Sequence, residues 1–116
     1  TGGWPQFYPP GPQYHRHITF NDDTMARLME FARDVATKAD FDFVDTHRRK
    51  DAQGAFDRGV SCILKCQIVT GGKKTVWCAQ HDETTLAVEA LAPILGPRCA
   101  RHTGREARDI HDEADL

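Results

Sequence analysis

Hydrophobic residues recur at helical spacing in two stretches of the chain, and each stretch has a capping sequence at its start. The first follows an Asn-Asp-Asp tripeptide and predicts a helix at about residues 22–37, because its apolar side chains return every three or four positions. The second follows Asp45 and Thr46, whose side-chain oxygens suit an N-cap, and predicts a helix at about residues 46–66. The pattern therefore predicts two amphipathic helices as the main regular elements.

Strand and turn signals follow the second predicted helix. Residues 68–70 and 75–77 are β-branched or aromatic, and a Gly-Gly pair lies between them, so this segment is predicted to form a hairpin. Residues 84–95 carry a weaker helical pattern, which Pro93 interrupts. We expect one hairpin and one short third helix in this part of the chain.

The two ends of the chain differ from its middle in composition. Residues 1–20 combine four prolines with aromatic side chains, which predicts an irregular loop that packs on a core or faces a sugar. Residues 98–116 are charged and nearly devoid of large apolar side chains, which predicts a disordered tail. We therefore expect a folded part at residues 1–97 and a separate tail.

The charge balance and the hydropathy exclude two classes of partner. Fifteen Lys and Arg stand against seventeen Asp and Glu, for a net charge of -2, so we expect no basic face for nucleic acid. No apolar run approaches the roughly 18 residues of a membrane span, and the first residues do not resemble a signal peptide. We expect neither nucleic acid nor a membrane as a partner.

The tripeptide Asn21-Asp22-Asp23 is the first candidate for chemistry. Adjacent carboxylates at a junction between a loop and a helix offer the hard oxygen ligands that Ca²⁺ prefers. The alternative is ordinary N-capping of the predicted helix, which the residues by themselves favour. One such cluster supplies only part of a calcium shell, so other ligands come from elsewhere in either case.

Cysteine and histidine spacing raises a second candidate. Cys62, Cys66, Cys78 and His81 offer three sulfurs and an imidazole, which is a possible tetrahedral zinc set in a small interaction module. The spacing matches no standard zinc ribbon, and each cysteine is equally compatible with a small buried apolar residue.

A third candidate combines an aromatic residue with planar polar groups after the predicted hairpin. Trp77, Gln80, His81 and Asp82 form a plausible carbohydrate-binding edge, and Lys65 near the end of the second helix suits the carboxylate of an acidic sugar. The alternatives are a local turn with His81 bonded to the backbone, and an ordinary cation at a helix C-terminus.

Several short motifs together resemble one known family. The segments GGWPQFYP, HITFNDD, FDFVD, RG-x-x-CILK-x-Q and TVWCAQHDETTLA occur in this order between Gly2 and Ala87, and they resemble polysaccharide lyase family 10, the pectate lyases. The resemblance implies cleavage of polygalacturonate by β-elimination with Ca²⁺ as cofactor, outside the cell. It also implies an all-α fold, here a fragment of an (α/α) toroid or barrel with short strands and long loops.

The resemblance assigns roles to individual residues. The calcium-binding aspartate of the family falls on the cluster above, with Asp23 the first choice and Asp22 the second. The lysine of the CILK segment falls on Lys65, where it is expected to contact a uronate carboxylate. The family's WCAQHD segment, which helps to build the substrate site, falls on Trp77, Gln80, His81 and Asp82.

This sequence departs from the family's pattern at the residue expected to act as the catalytic base. In the family an arginine in an ARAYE-like segment is the expected base, and Leu91 stands at the corresponding place. Leucine has no group that accepts a proton, so the catalytic residue of this chain is unknown from its sequence. Two hypotheses follow from the resemblance: a pectate lyase fragment, and a remnant that binds acidic polysaccharide without cleaving it.

Overall fold

The computed structural model describes residues 1–88, with the side chain of Gln13 left out. Two helices carry most of the regular structure, α1 at Thr24–Thr37 and α2 at Thr46–Cys66. The strands have two residues each: β1 Ile18–Thr19, β2 Val69–Thr70, β3 Lys73–Lys74 and β4 Gln80–His81. Short 3₁₀ turns lie at Gln13–Arg16, Asn21–Asp23 and Ala39–Phe41.

Both predicted helices are confirmed, and α2 has the predicted start. The Asp45 side chain accepts a hydrogen bond from the Arg48 backbone N–H at 2.9 Å, which satisfies one of the unpaired donors of the first turn. Helix α1 begins two residues later than predicted and ends where Lys38 turns to extended backbone at φ -83° and ψ 143°.

The two helices pack against each other in antiparallel directions. Arg49 near the start of α2 bonds the Val35 carbonyl near the end of α1, while Met25 at the start of α1 shares the core with Cys66 at the end of α2. Gly59 lets the helices approach, because a Cβ there would lie 3.1 Å from the Met29 sulfur. The buried core is small and consists of Ile18, Met25, Met29, Cys62 and Cys66.

Two strand pairs flank the helices. Strand β1 pairs antiparallel with β4, with Thr19 opposite Gln80 and Ile18 opposite His81, which joins the proline-rich opening segment to the end of the described chain. Strands β2 and β3 form the predicted hairpin, which is confirmed around its Gly-Gly turn. Backbone hydrogen bonds between Ile68 and residues 75–76 extend this hairpin beyond its two-residue strands.

The expected (α/α) toroid or barrel fragment, and with it the all-α class, is wrong for the described part of the chain. Residues 1–88 form one helix pair, two small two-stranded sheets and long irregular segments. A toroid needs several helix pairs that close on one another, and a single pair has no neighbour with which to close. The β-branched Val69 and Thr70 beside the Gly-Gly turn, and the pairing of residues 18–19 with 80–81, supply the β-structure.

The third helix predicted at residues 84–95 is wrong over the residues that are described. Thr84 and Thr85 lie in a turn, and Leu86 has a left-handed backbone with φ 63°. The rest of that helix, Leu91, the boundary at residue 97 and the predicted tail at 98–116 lie outside the described residues. Neither α1 nor α2 is long and apolar enough to cross a bilayer.

Candidate functional site

The aspartate cluster has a strained backbone at the start of α1. Asp22 and Asp23 both have left-handed dihedrals, with φ 57° and φ 58°, a conformation that costs a non-glycine residue roughly 1–2 kcal/mol. The side chain of Asp23, in the N-cap position, makes no capping hydrogen bond. The capping interpretation is therefore wrong, and neither aspartate side chain is used to start the helix.

The polar side chains around Asp22 leave oxygen atoms available to a cation. The Asn21 amide donates to Asp22 Oδ2 at 3.0 Å, and the Gln6 amide approaches the same oxygen at 3.5 Å. The Asn21 Oδ1 atom is buried and has no hydrogen-bond partner within residues 1–88. A buried oxygen without a donor, next to two carboxylates, fits one side of a Ca²⁺ shell, which takes six to eight oxygen ligands.

The antiparallel helix pair brings Lys65 to the same end of the fold as this cluster. Lys65 lies exposed in the last turn of α2, and the aspartates precede the first turn of α1. Trp77 joins them at this end, because its indole N–H donates to the Ile63 carbonyl at 2.7 Å. The side chain of Trp77 is 43% exposed, so part of its ring remains available for stacking on a sugar.

Gln80 and His81 lie behind the surface that carries Lys65 and Trp77. The two residues are buried, with relative exposures of 2% and 0%. The Gln80 amide donates to Thr19 Oγ1 at 3.1 Å and to the Tyr14 carbonyl at 3.3 Å, so it ties β4 to the opening segment. Both nitrogens of His81 meet backbone groups, as the local-turn alternative predicts. Direct contact of Gln80 and His81 with substrate stays a prediction.

The partners of His81 define its protonation state. Its Nδ1 lies 3.0 Å from the Leu86 carbonyl, which only accepts, so Nδ1 carries the proton. Its Nε2 accepts the Cys78 backbone N–H at 3.3 Å, so Nε2 carries none. Burial lowers the pKa of His81 below its ordinary value, against the opposing effect of its backbone hydrogen bonds. The ring is therefore neutral at pH 7.

Asp82 organises the turn that follows β4. Its Oδ1 accepts the backbone N–H groups of Thr84 at 2.8 Å and Thr85 at 2.6 Å, and the Thr85 hydroxyl as well. These backbone hydrogen bonds hold the pKa of Asp82 below its usual range. The Oδ1 atom of Asp82 thus stabilises the turn. Contact of Asp82 with substrate stays a prediction.

The four-ligand zinc set does not assemble. Cys62 and Cys66 are reduced and buried, with their sulfurs 4.0 Å apart, and burial raises the pKa of Cys66 to about 12. Cys78 is bonded in a disulfide, and a disulfide sulfur is not a thiolate ligand. Both nitrogens of His81 are engaged as described above, so the zinc-module hypothesis is wrong.

The sequence reasoning missed an ionic cluster beside β1. The Nδ1 atom of His17 lies 2.8 Å from Glu83 Oε2, and Arg16 Nε lies 3.2 Å from Glu83 Oε1. No local sequence signal indicates this cluster, because the β1–β4 pairing between distant parts of the chain brings residues 16–17 beside Glu83. A surface pocket of about 410 Å³ lies at the other end of the helix pair, near Arg49, and none of the predicted site residues lines it.

The match to a protein-family model and the matches to solved structures all concern polysaccharide lyases. A protein-family model described as pectic acid lyase matches residues 1–92. A family 10 polysaccharide lyase from Cellvibrio cellulosa is 39% identical with a TM-score of 0.70. An aspartate-to-alanine mutant of such a lyase, solved in complex with trigalaturonic acid, is 39% identical with a TM-score of 0.69. Each match covers 74% of this chain, which spans 28% of the solved protein. No curated protein matches the chain significantly.

Proposed function

The chain belongs to the pectic acid lyase family, and from this premise we propose that it serves the cleavage of polygalacturonate by calcium-assisted β-elimination. A solved relative holds trigalaturonic acid, a short acidic oligosaccharide of this kind. Because the chain spans 28% of the length of that relative, the proposal concerns the part of the site that residues 1–88 supply. The polymer lies outside cells, so we expect the protein to act there.

The observation that carries the proposal is the aspartate pair at the start of α1, whose side chains do not cap the helix. Asp23 is the first choice as a calcium ligand and Asp22 the second, and beside them lies Asn21 Oδ1, which has no hydrogen-bond partner in the described part of the chain. When bound, calcium neutralises a uronate carboxylate and stabilises the charge that develops as the adjacent carbon loses its proton. The left-handed backbone costs free energy that ordinary capping would have avoided, which favours a ligand-binding role.

Lys65 and Trp77 supply the remaining contacts in this proposal. The exposed ammonium group of Lys65 pairs with a second carboxylate along the polymer, and the exposed part of the Trp77 ring stacks on a sugar face. The indole hydrogen bond to the Ile63 carbonyl fixes the ring against the end of α2. Gln80 and His81 hold the strand from which this surface projects.

A second candidate function is binding of acidic polysaccharide without cleavage. It is favoured by Leu91, which stands where the resemblance expects the arginine base. Under this alternative the aspartates, Lys65 and Trp77 keep their roles, and no residue removes the proton.

An absorbance assay separates the two functions. The unsaturated product absorbs in the ultraviolet, so we would follow absorbance on polygalacturonate with calcium and then with excess chelator. A calcium-dependent rise that D23A abolishes supports the lyase. D40A is the matched control, since Asp40 is an exposed aspartate in the turn after α1, and it should keep the wild-type rate.

If the absorbance does not rise, calorimetric titration with trigalacturonate shows whether the chain still binds the sugar. Calcium-dependent binding of trigalacturonate that D23A abolishes supports the binding remnant and contradicts catalysis. Neither product nor binding, in a sample whose circular dichroism spectrum shows the two helices, contradicts both functions.

A further inference from the structure

A group of potential metal ligands lies apart from the proposed calcium ligands and shares Asp82 with the predicted substrate residues. The ligand atoms of His17, Asp82 and Glu83 lie within 4.8 Å of one another. The His17 Nδ1 atom and Glu83 Oε2 are 2.8 Å apart. The group shares no residue with the Asn21–Asp23 cluster, and it combines a nitrogen ligand with two carboxylates.

The β1–β4 pairing builds this group and holds it in place. His17 directly precedes Ile18 of β1, and Asp82 and Glu83 directly follow His81 of β4, the residue that Ile18 faces. His17 is buried, whereas both carboxylates are partly exposed, so the group is open to solvent on its acidic side. The Thr1 hydroxyl donates to the Glu83 carbonyl at 2.8 Å and fixes the backbone there.

Each carboxylate contributes one oxygen to the group. Asp82 uses Oδ1 for the turn at Thr84 and Thr85, and no hydrogen bond within residues 1–88 involves its Oδ2. Glu83 uses Oε1 for Arg16, which leaves Oε2 directed at His17. The pKa of each of the two carboxyl groups is lowered, first by backbone hydrogen bonds, so both are ionised at neutral pH.

We propose that His17, Asp82 and Glu83 bind a divalent first-row transition metal ion, for which Zn²⁺ is the probe. Zinc takes imidazole and carboxylate ligands at roughly 2.0–2.2 Å, which separates neighbouring ligands of a tetrahedral ion by about 3.4 Å. The separations in the structure, from 2.8 Å to at most 4.8 Å, bracket that value. The metal takes the place of the contact between Nδ1 and Oε2, any proton there passes to solvent, and water completes the coordination.

The ligand set distinguishes this ion from calcium. Imidazole nitrogen suits zinc and its neighbours in the first transition row, whereas calcium takes oxygen ligands and needs more of them than this group supplies. Zinc binding here uses neither Asp22 nor Asp23, so it can be tested separately from the proposed lyase or polysaccharide-binding function. Bound zinc joins the segment before β1 to the turn after β4, so it is expected to raise the melting temperature of the chain.

Calorimetric titration of the 116-residue chain with ZnCl₂ in calcium buffer tests the proposal. We expect binding that calcium does not displace and that H17Q and E83Q each weaken by at least about tenfold. The matched control is H47Q, because His47 also faces a carboxylate, Asp51 at 3.4 Å, but on an exposed helix surface. Equal zinc affinities of wild type, H17Q and H47Q, or a loss confined to H47Q, would overturn the proposal.

A second measurement uses the wild-type chain, so its result does not depend on whether the variants fold. Paramagnetic Mn²⁺ broadens amide signals near its site in a nuclear magnetic resonance spectrum. We expect the signals of His17, Asp82 and Glu83 to broaden first as Mn²⁺ is added. Broadening at His47 and Asp51 that precedes broadening at His17, Asp82 and Glu83 contradicts the assigned site.

Discussion

The imidazole ring of His81 packs edge-on against the ring of Phe20, with the ring centroids 5.3 Å apart. Phe20 directly precedes the aspartate cluster, and its backbone N–H donates to the Ala79 carbonyl at 2.8 Å. Strand β4 therefore supports the segment that carries Asp22 and Asp23. A neutral, buried His81 is part of the framework of the proposed calcium site.

Stability should fall as the pH is lowered through the histidine range. Burial lowers the pKa of His81 from its ordinary 6.5, so below pH 6.5 the unfolded state binds a proton that the folded state refuses. The contribution of His81 is complete above pH 6.5 and decreases until the pH reaches the lowered folded-state pKa. Urea unfolding between pH 8 and pH 5 measures this slope.

Substitutions identify the histidine responsible for that slope. H81N keeps an N–H donor near the Leu86 carbonyl but does not titrate, so it should be less stable than wild type at pH 8 and show a smaller loss on acidification. H47Q changes an exposed histidine and should keep the wild-type slope. A wild-type slope in H81N would contradict the burial argument.

Local patterns were sufficient to predict the helices and the hairpin, whereas the strand pairing needed tertiary information. The periodicity before residue 37 and the Asp45 cap are local signals, and both were confirmed. The pairing of Ile18 with His81 joins residues 63 positions apart, and no local pattern encodes it. The capping prediction at Asp23 was wrong because the backbone is left-handed there, which a favourable capping sequence does not reveal.

Arg49 should stabilise the helix pair through the end of α1. Its guanidinium donates to the carbonyls of Val35, Ala36 and Lys38 and to Asp42, at 2.6 to 3.3 Å, and the Val35 and Ala36 carbonyls are acceptors that the last turn of the helix leaves unpaired. R49A should lower the free energy of unfolding by about 1–3 kcal/mol. R49K should recover little of this, because a single ammonium group cannot reach four acceptors.

Arg48 provides the comparison for Arg49 on the same turn of α2. Its side chain is 79% exposed and, among residues 1–88, pairs only with Asp45, whereas that of Arg49 is 23% exposed. R48A should therefore leave the urea midpoint nearly unchanged. Similar midpoints for R48A and R49A would show that the carbonyl contacts contribute no measurable stability.

Two glycines of α2 should respond differently to alanine. At Gly54 the added Cβ meets only the flexible end of Arg58, so G54A should gain about 0.5–1 kcal/mol from helix propensity. At Gly59 the Cβ lies 3.1 Å from both the Met29 sulfur and the Trp4 ring, and overpacking of this kind costs about 1–3 kcal/mol. Thermal unfolding should rank G54A above wild type and G59A below G54A. A melting temperature of G59A above that of G54A would mean that the helices do not pack this closely at Gly59.

The thiols of Cys62 and Cys66 should be inert in the folded chain. Both are buried, and burial together with the neighbouring Cys62 raises the pKa of Cys66 to about 12, so little reactive thiolate forms near pH 8. Iodoacetamide followed by peptide mass spectrometry should find both residues unmodified in buffer and both alkylated in urea. G59A, which forces Met29 and Trp4 apart beside this core, should accelerate alkylation, whereas G54A should not. Rapid alkylation of the folded wild-type chain would contradict the burial of the α1–α2 interface. The position of the proposed calcium-binding segment at the start of α1 depends on that interface.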